Sequence, residues 1–175
     1  MPRIKFLNTH VDNLTMNEAL NVVDELVTQR TPSYVVTPNL DHIVTIETDS
    51  EFAEIYENAN LIVADGKPLI WISKILKTPI KEKISGSDFF PKICELAAYK
   101  GYSIYILGAA EGVGKKAAEN LKNKYPDLKI AGTYSPAFGF EEDNRELQKI
   151  KEKILKAKPD ILAVSLGSPK GEKFI

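Results

Sequence analysis

The sequence has little cysteine and histidine, and it has no long hydrophobic run. Cys94 is the only cysteine among 175 residues, so no disulfide can form within the chain and a reducing compartment is predicted. The two histidines, His10 and His42, are far apart and lack the spacing of metal ligands. No segment approaches the roughly 18 apolar residues that a transmembrane helix needs, and the N-terminus lacks a signal-peptide pattern. We therefore expect a cytoplasmic protein without a bound metal.

The charge balance also excludes several classes of partner. The formal net charge is −1, so no global excess of basic residues indicates binding to nucleic acid. Hydrophobic residues make up 43% and charged residues 27% of the chain, as in ordinary globular proteins. The length predicts a single domain over residues 1–175. Within it, Cys94 lies beside the apolar face of a predicted helix and is interpreted as a buried structural thiol.

Short β-branched runs alternate with segments of helical periodicity. The predicted strands are apolar throughout, which is typical of parallel strands covered on both faces; they span 33–37, 61–64, 103–107, 128–133 and 160–166. The predicted helices span 15–30, 40–59, 111–125 and 142–157, and the second of these is broken into two pieces near Asp49–Ser50. Two more helices are predicted: one follows "DGKP", and the other is capped by Ser87 and runs to Gly101. The alternation predicts an α/β fold, Rossmann-like, with a mostly parallel sheet and helices on both faces. The opening segment "RIKFLNTHVDNL" predicts an edge hairpin.

Polar residues follow several of the predicted strands, where ligands bind in open α/β sheets. Thr37 and Asn39 follow the first of these strands and Asp65 follows the second. Each has a structural alternative: Asp65 could cap the next helix, and Thr37 and Asn39 flank a proline, which is typical of a plain turn. The segment "SGSD" (85–88) is interpreted as a loop and a helix cap.

A glycine loop lies between the strand at 103–107 and the following helix. Its G-x-x-x-G-x-G pattern begins at Gly108 and offers backbone N–H groups and a positive helix end to a phosphate. A tight turn without a ligand is the alternative. An NAD-dependent dehydrogenase is disfavoured, because the loop follows the third of these strands and the next strand ends "AGTYSP", without the expected carboxylate.

Several segments together carry a family resemblance. The stretches "TPNLDH", "ADGKPLIW", "ISGSD", "YILGAAEGVGKKAAENLKNKYPDLKIAGTYSPAFGF" and "PDILAVSLGSPKGEKFI" resemble the TagA/WecG/CpsF family of bacterial glycosyltransferases, from about residue 3 to the last residue. The resemblance implies an inverting, metal-independent enzyme without a cofactor. It implies a UDP-sugar donor of the N-acetylmannosamine type and an N-acetylglucosamine acceptor on undecaprenyl diphosphate, at the inner face of the cytoplasmic membrane.

The resemblance also implies roles for individual residues. Asp65 corresponds to the family's proposed general base, Thr37 and Asn39 to pocket residues, and Lys83 to an arginine that supplies charge near the substrate. The residues implied in holding UDP lie in the glycine loop and at the end of the following strand: Gly108, Ala109, Gly112, Gly114, Thr133 and Tyr134.

This chain departs from the family pattern at two positions and in its extent. Lys83 replaces an arginine and cannot form the bidentate fork of that side chain, and Gly171 replaces a glutamine in "GSPKGE". The chain stops where a helix begins, so a truncated C-terminus is predicted; in the family a basic segment follows and reaches the membrane. Two alternatives stay open, a UDP-binding module without catalysis and an NAD-dependent oxidoreductase, and a homo-oligomer is possible.

Overall fold

The computed structural model describes residues 2–175, and its strands and helices alternate along the chain. The strands are β1 (Arg3–Phe6), β2 (Thr9–Asp12), β3 (Val35–Val36), β4 (Leu61–Ile62), β5 (Ser103–Gly108), β6 (Lys129–Tyr134) and β7 (Ile161–Ser165). The helices are α1 (Met16–Gln29), α2 (Leu40–Ile46), α3 (Ser50–Glu57), α4 (Lys67–Ile75), α5 (Gly86–Lys100), α6 (Val113–Lys124), α7 (Asn144–Ala157) and α8 (Lys170–Phe174). The predicted α/β, Rossmann-like fold class is confirmed.

The chain divides into two compact units, and the first comprises residues 2–90 and 172–175. β1 and β2 form the predicted antiparallel hairpin, and β3 pairs with β4 in parallel. Apolar side chains from the hairpin, β3, β4, α2, α3 and α4 form one buried cluster that includes Phe52, Tyr56, Ile62 and Leu69. The prediction of one domain over residues 1–175 stays a prediction.

The second unit comprises residues 91–171 and contains a three-stranded parallel sheet in the order β6-β5-β7. The central strand β5 is buried from Ile104 onward, as expected for a strand with neighbours on both edges. Gly132 in β6 is required by packing, since a Cβ there would lie 2.6 Å from Cε2 of Tyr105. Cys94 is fully buried, and burial raises the pKa of its thiol to about 11. A neutral structural thiol follows.

Local sequence signals explain most helix ends. α1 begins with a complete capping box, in which the Thr15 hydroxyl accepts from the Glu18 N–H and the Glu18 carboxylate accepts from the Thr15 N–H. The predicted break near Asp49 is confirmed, because the Asp49 side chain caps α3. The prediction that Ser87 caps its helix is wrong: α5 already begins at Gly86, so Ser87 lies within the first turn.

A buried carboxylate connects the hairpin to β4. Asp12 is 2% exposed; its Oδ2 accepts from the Ile62 N–H at 2.9 Å and its Oδ1 from Arg3 Nε at 3.2 Å. We expect Asp12→Ala to lower the free energy of unfolding by about 1–3 kcal/mol, because the buried Ile62 N–H loses its acceptor. Urea unfolding measures this change. Asn8→Ala, which removes an exposed bond to Glu47, is the control and should cost less than about 0.5 kcal/mol; equal losses would contradict the prediction.

Candidate functional site

Asp65 lies three residues after β4 and is half-buried. Its N–H donates to the Pro38 carbonyl at 2.8 Å, so the chain here continues alongside the segment that follows β3. Its carboxylate Oδ2 accepts from the Gly86 N–H at 3.2 Å, at the start of α5. Backbone contacts from two separate segments therefore fix both the main chain and the side chain of this acid.

The structural alternative for Asp65, a cap on the next helix α4, does not describe this geometry, because the carboxylate accepts from the first residue of α5 instead. The N-cap of α4 is Gly66, at φ 100°, and no side chain of the described residues forms a capping hydrogen bond at that helix end. Pro68 lies in the first turn as predicted, where its missing N–H costs nothing. The Asp65 carboxylate instead turns to Gly86, so α4 does not account for its presence.

Thr37 and Asn39 flank the buried Pro38, and the two side chains differ in their surroundings. The Asn39 side-chain oxygen accepts from the His42 N–H at 3.1 Å and caps α2, so a structural role accounts for that oxygen. Thr37 lies by the start of α5: its Oγ1 would be 3.5 Å from a Cβ on Gly86. Thr37 and Asp65 therefore both adjoin Gly86.

Lys83 lies near the same turn and is part of a small polar network. Its Nζ is 3.1 Å from Ser85 Oγ and 2.9 Å from Asp88 Oδ2. The hydrogen bond to Asp88 raises the pKa of Lys83, and the negative charges of Asp88 and Asp65 act in the same direction. The ammonium thus stays charged in the neighbourhood of the Asp65 carboxylate.

The sequence interpretation of "SGSD" as a loop and a cap missed the part these residues play in the site. Gly86 holds the Asp65 carboxylate, and Ser85 and Asp88 bind Lys83. Gly86 and Asp65 are 21 residues apart in the sequence. A local sequence pattern therefore cannot predict the hydrogen bond between them. The only available signal was the position of "ISGSD" among the segments that carry the family resemblance.

The glycine loop follows β5 in the second unit, and its first glycine is required by packing. Gly108 has φ 110°, and a Cβ there would lie 2.2 Å from the Ser165 carbonyl oxygen of β7. The Ala109 N–H donates to the same carbonyl at 2.9 Å, so a ligand contact to Ala109 has to use other atoms. Gly112, the N-cap of α6, has φ 79° and open space around its Cβ position.

Two further residues that are predicted to bind the nucleotide, Thr133 and Tyr134, lie at the end of β6. Thr133 Cβ would be 3.8 Å from a Cβ on Gly114, so the strand end adjoins the first turn of α6. The Tyr134 hydroxyl donates to the Glu146 carboxylate. The ammonium groups of Lys149 and Lys153 make cation–π contacts with the Tyr134 ring. Gly108, Gly114 and Thr133 therefore lie together, whereas the polar contacts of Tyr134 are with α7.

Gly171, the second position at which the sequence predicts a departure from the family pattern, is buried in α8. A Cβ there would lie 3.8 Å from Val164 Cγ1, which is ordinary van der Waals contact. The backbone around Gly171 therefore has room for a Cβ, and packing at this point does not explain the glycine.

Neither a metal cluster nor a membrane span occurs in the part of the chain that the structure describes. Within residues 2–175, no three His, Cys, Asp or Glu side chains lie close enough together to hold a metal ion. In the same range no helix has both the length and the apolar character needed to cross a bilayer.

The chain is similar to known proteins over nearly its whole length. Its residues 4–175 match the model of the Glycosyl transferase WecG/TagA/CpsF family. Three similar proteins are each named N-acetylglucosaminyldiphosphoundecaprenol N-acetyl-beta-D-mannosaminyltransferase. The one from Bacillus spizizenii is 30% identical over 147 residues, which are 84% of this chain and 55% of that protein. The one from Bacillus subtilis is 29% identical over 149 residues, 85% of this chain and 56% of that protein.

The third of these proteins, from Staphylococcus aureus, extends the similarity to the ends of the chain. It is 27% identical over 175 residues, which are 99% of this chain and 66% of that protein. The chain thus spans between about half and two thirds of the length of these curated relatives. Because the family model matches from residue 4 to residue 175, this chain belongs to the WecG/TagA/CpsF family of glycosyl transferases.

Proposed function

We propose that the protein is an inverting glycosyltransferase. It transfers N-acetylmannosamine, or a related sugar, from UDP to the 4-hydroxyl of N-acetylglucosamine carried on undecaprenyl diphosphate, in the synthesis of a cell-wall or surface polysaccharide. The names of the three relatives supply the acceptor and the transferred sugar. The observation that carries the proposal is the Asp65 carboxylate, which is held by the Gly86 N–H and does not cap α4.

Inversion requires a single displacement at the anomeric carbon. The acceptor hydroxyl attacks that carbon on the face opposite to UDP, and the transition state has oxocarbenium character by analogy with inverting glycosidases. A base must take the hydroxyl proton as the new bond forms. Asp65 is suited to this role because its position is fixed by backbone contacts from both sides, and a well-placed base typically accelerates such a step by about 10²–10⁴.

The departing UDP carries negative charge that the protein has to stabilise. Preorganised N–H dipoles and cationic side chains can do this without reorganising during the reaction. We assign the first role to the glycine loop between Gly108 and Gly114, at the N-terminus of the 12-residue helix α6. We assign the second role to Lys83, which is cationic at neutral pH and whose pKa the bond to Asp88 raises further. The other proposed ligand contacts are Thr37 and Asn39 in the first unit, and Ala109, Thr133 and Tyr134 in the second.

A lipid-linked acceptor places the reaction at a membrane surface, and we propose the inner face of the cytoplasmic membrane. α4 offers support, because its Trp71 and Ile75 are 62% and 79% exposed. The helix also carries Lys67 and Lys74 and no acidic residue. Exposed aromatic and aliphatic side chains beside lysines are typical of surfaces that contact lipid headgroups.

Isothermal titration with UDP, a UDP-sugar and NAD tests the proposal directly. We expect UDP and UDP-N-acetylmannosamine to bind and NAD not to bind. A turnover assay with the lipid-linked acceptor, on the full-length protein, then separates an enzyme from a UDP-binding module. Binding of NAD without UDP would overturn the proposal in favour of an oxidoreductase, and UDP binding without any turnover would leave only the binding module.

A further inference from the structure

The Lys83 ammonium is held at two of its three N–H positions. Nζ bonds to Ser85 Oγ at 3.1 Å and to Asp88 Oδ2 at 2.9 Å. An ammonium group has three donors, so these two partners among residues 2–175 leave one donor for a ligand. Lysine is a flexible point charge, unlike the planar fork of arginine, and these two partners restrict where the charge can lie.

Asp88 and Ser85 also bind each other. The Ser85 hydroxyl donates to Asp88 Oδ2 at 2.5 Å, and the Asp88 N–H donates to the Ser85 carbonyl at 3.0 Å. Both contacts lie at the first turn of α5, where Ser85 is buried and Asp88 is exposed. The Asp88 carboxylate is therefore itself fixed in place while it accepts from Lys83.

The same turn fixes Asp65. Gly86, between Ser85 and Asp88 in sequence, donates its N–H to Asp65 Oδ2 at 3.2 Å. One short segment thus sets the positions of both the proposed base and the nearby cation. The negative charges of Asp65 and Asp88 both raise the pKa of Lys83, and of these two carboxylates Asp88 is the one that bonds to its ammonium.

We propose that Asp88 is a positioning residue that, together with Ser85, holds the Lys83 ammonium beside Asp65 with one N–H left for the diphosphate of the sugar donor. This inference rests on the proposed function, because it gives Lys83 an anionic ligand. Asp88 does not touch the substrate itself; it acts through Lys83. Because a lysine side chain is flexible and lacks a planar fork, the Asp88 carboxylate supplies a restraint that Lys83 does not have by itself.

A purely structural role for Asp88 makes different predictions. An acidic side chain in the first turn of a helix interacts favourably with the helix dipole, and this effect does not involve Lys83. If Asp88 served only α5, its removal would have the same effect whether or not Lys83 were present. If it acts through Lys83, the two substitutions are coupled, which a double-mutant cycle measures.

The experiment compares Asp88→Asn, Asp88→Glu, Lys83→Ala and the Asp88→Asn/Lys83→Ala double variant in the full-length protein. UDP affinity by titration and the KM for the sugar donor are the readouts, with turnover measured alongside. We expect Asp88→Asn to weaken UDP binding and raise the donor KM roughly tenfold, which corresponds to about 1.4 kcal/mol. Asp88→Glu should recover most of this loss, and Asp88→Asn should cause no further loss once Lys83 is alanine.

The pH dependence gives a second readout that a structural role would not move. Because the bond to Asp88 raises the pKa of Lys83, its removal lowers that pKa. The alkaline loss of UDP binding in Asp88→Asn should therefore begin at a lower pH than in the wild type. Glu95→Gln, which breaks the exposed Lys92–Glu95 pair on α5, is the matched control and should leave affinity and pH profile unchanged.

The outcomes separate the inference from the proposed function. Wild-type protein that does not bind UDP overturns both. Wild-type protein that binds UDP, with unchanged affinity in Asp88→Asn, overturns the inference alone. An equal loss from Asp88→Asn in the presence and absence of Lys83 also overturns it, because Asp88 would then act independently of the lysine.

Discussion

Asp65→Asn in the full-length protein should lower turnover by about 10²–10⁴-fold, the usual contribution of a general base, while UDP affinity stays within about twofold. Asparagine has nearly the same shape and keeps an oxygen that can accept from the Gly86 N–H, so the local structure should survive. It cannot take the proton of the acceptor hydroxyl. The loss should therefore appear in kcat, measured with the lipid-linked acceptor at saturating donor.

Asp41→Asn is the matched control for this experiment. Asp41 is an exposed acid in the first turn of α2, and its substitution removes the same charge outside the proposed site. Its turnover should equal that of the wild type. Wild-type turnover in Asp65→Asn would remove Asp65 as the base, and a loss of UDP binding in the same variant would instead assign it to the donor site.

Gly108→Ala should destabilise the second unit by at least about 3 kcal/mol, for two reasons that act together. The Cβ would lie 2.2 Å from the Ser165 carbonyl oxygen and 2.5 Å from its carbon, both of which are backbone atoms of β7 that cannot move away alone. In addition, φ 110° is a conformation that residues with a Cβ rarely adopt. We expect a large fall in the midpoint of urea unfolding, or failure to accumulate folded protein.

Gly112→Ala separates the effect of backbone strain from the effect of the close contact with β7. Gly112 also has a positive φ, 79°, but among residues 2–175 no atom beyond its own chain neighbours lies within 4 Å of its Cβ position. Its substitution should therefore cost only the backbone strain, about 1–2 kcal/mol. Equal destabilisation by the two substitutions would show that the approach of β7 to Gly108 is not responsible for the larger effect.

Local patterns explain how far the sequence predicts the fold. The capping box at Thr15, the break at Asp49 and Pro68 in the first turn of α4 are read from neighbouring residues, and the structure places the helix ends accordingly. The start of α5 differs, because the contact that orders it joins Gly86 to Asp65. β3 and β4 are shorter than the predicted 33–37 and 61–64. The chain beyond each is held by single backbone hydrogen bonds, as at Asp65, rather than by a continuing ladder.

The candidate site also contains residues that the sequence predicted and residues that it did not. Asp65 and the glycine loop follow apolar strands, so strand ends alone directed attention to them. Ser85 and Asp88 could not be assigned from the sequence, because a serine and an aspartate before an apolar run are typical helix-cap residues. Their bonds to Lys83 distinguish them from an ordinary cap. The roles of Asp65 and Lys83 in the first unit and of the glycine loop in the second stay predictions.

The sequence by itself determined the alternation of strands and helices, the helix caps and the family, because these depend on composition, periodicity and the order of short motifs. Only the tertiary structure decided which oxygen atoms are already used by the backbone and which carboxylate is held by which amide. Such contacts join residues far apart in the chain, and a hydrogen bond is decided by distance and direction between atoms. The residues around Gly86 acquire their proposed role only when Asp65 is folded against them.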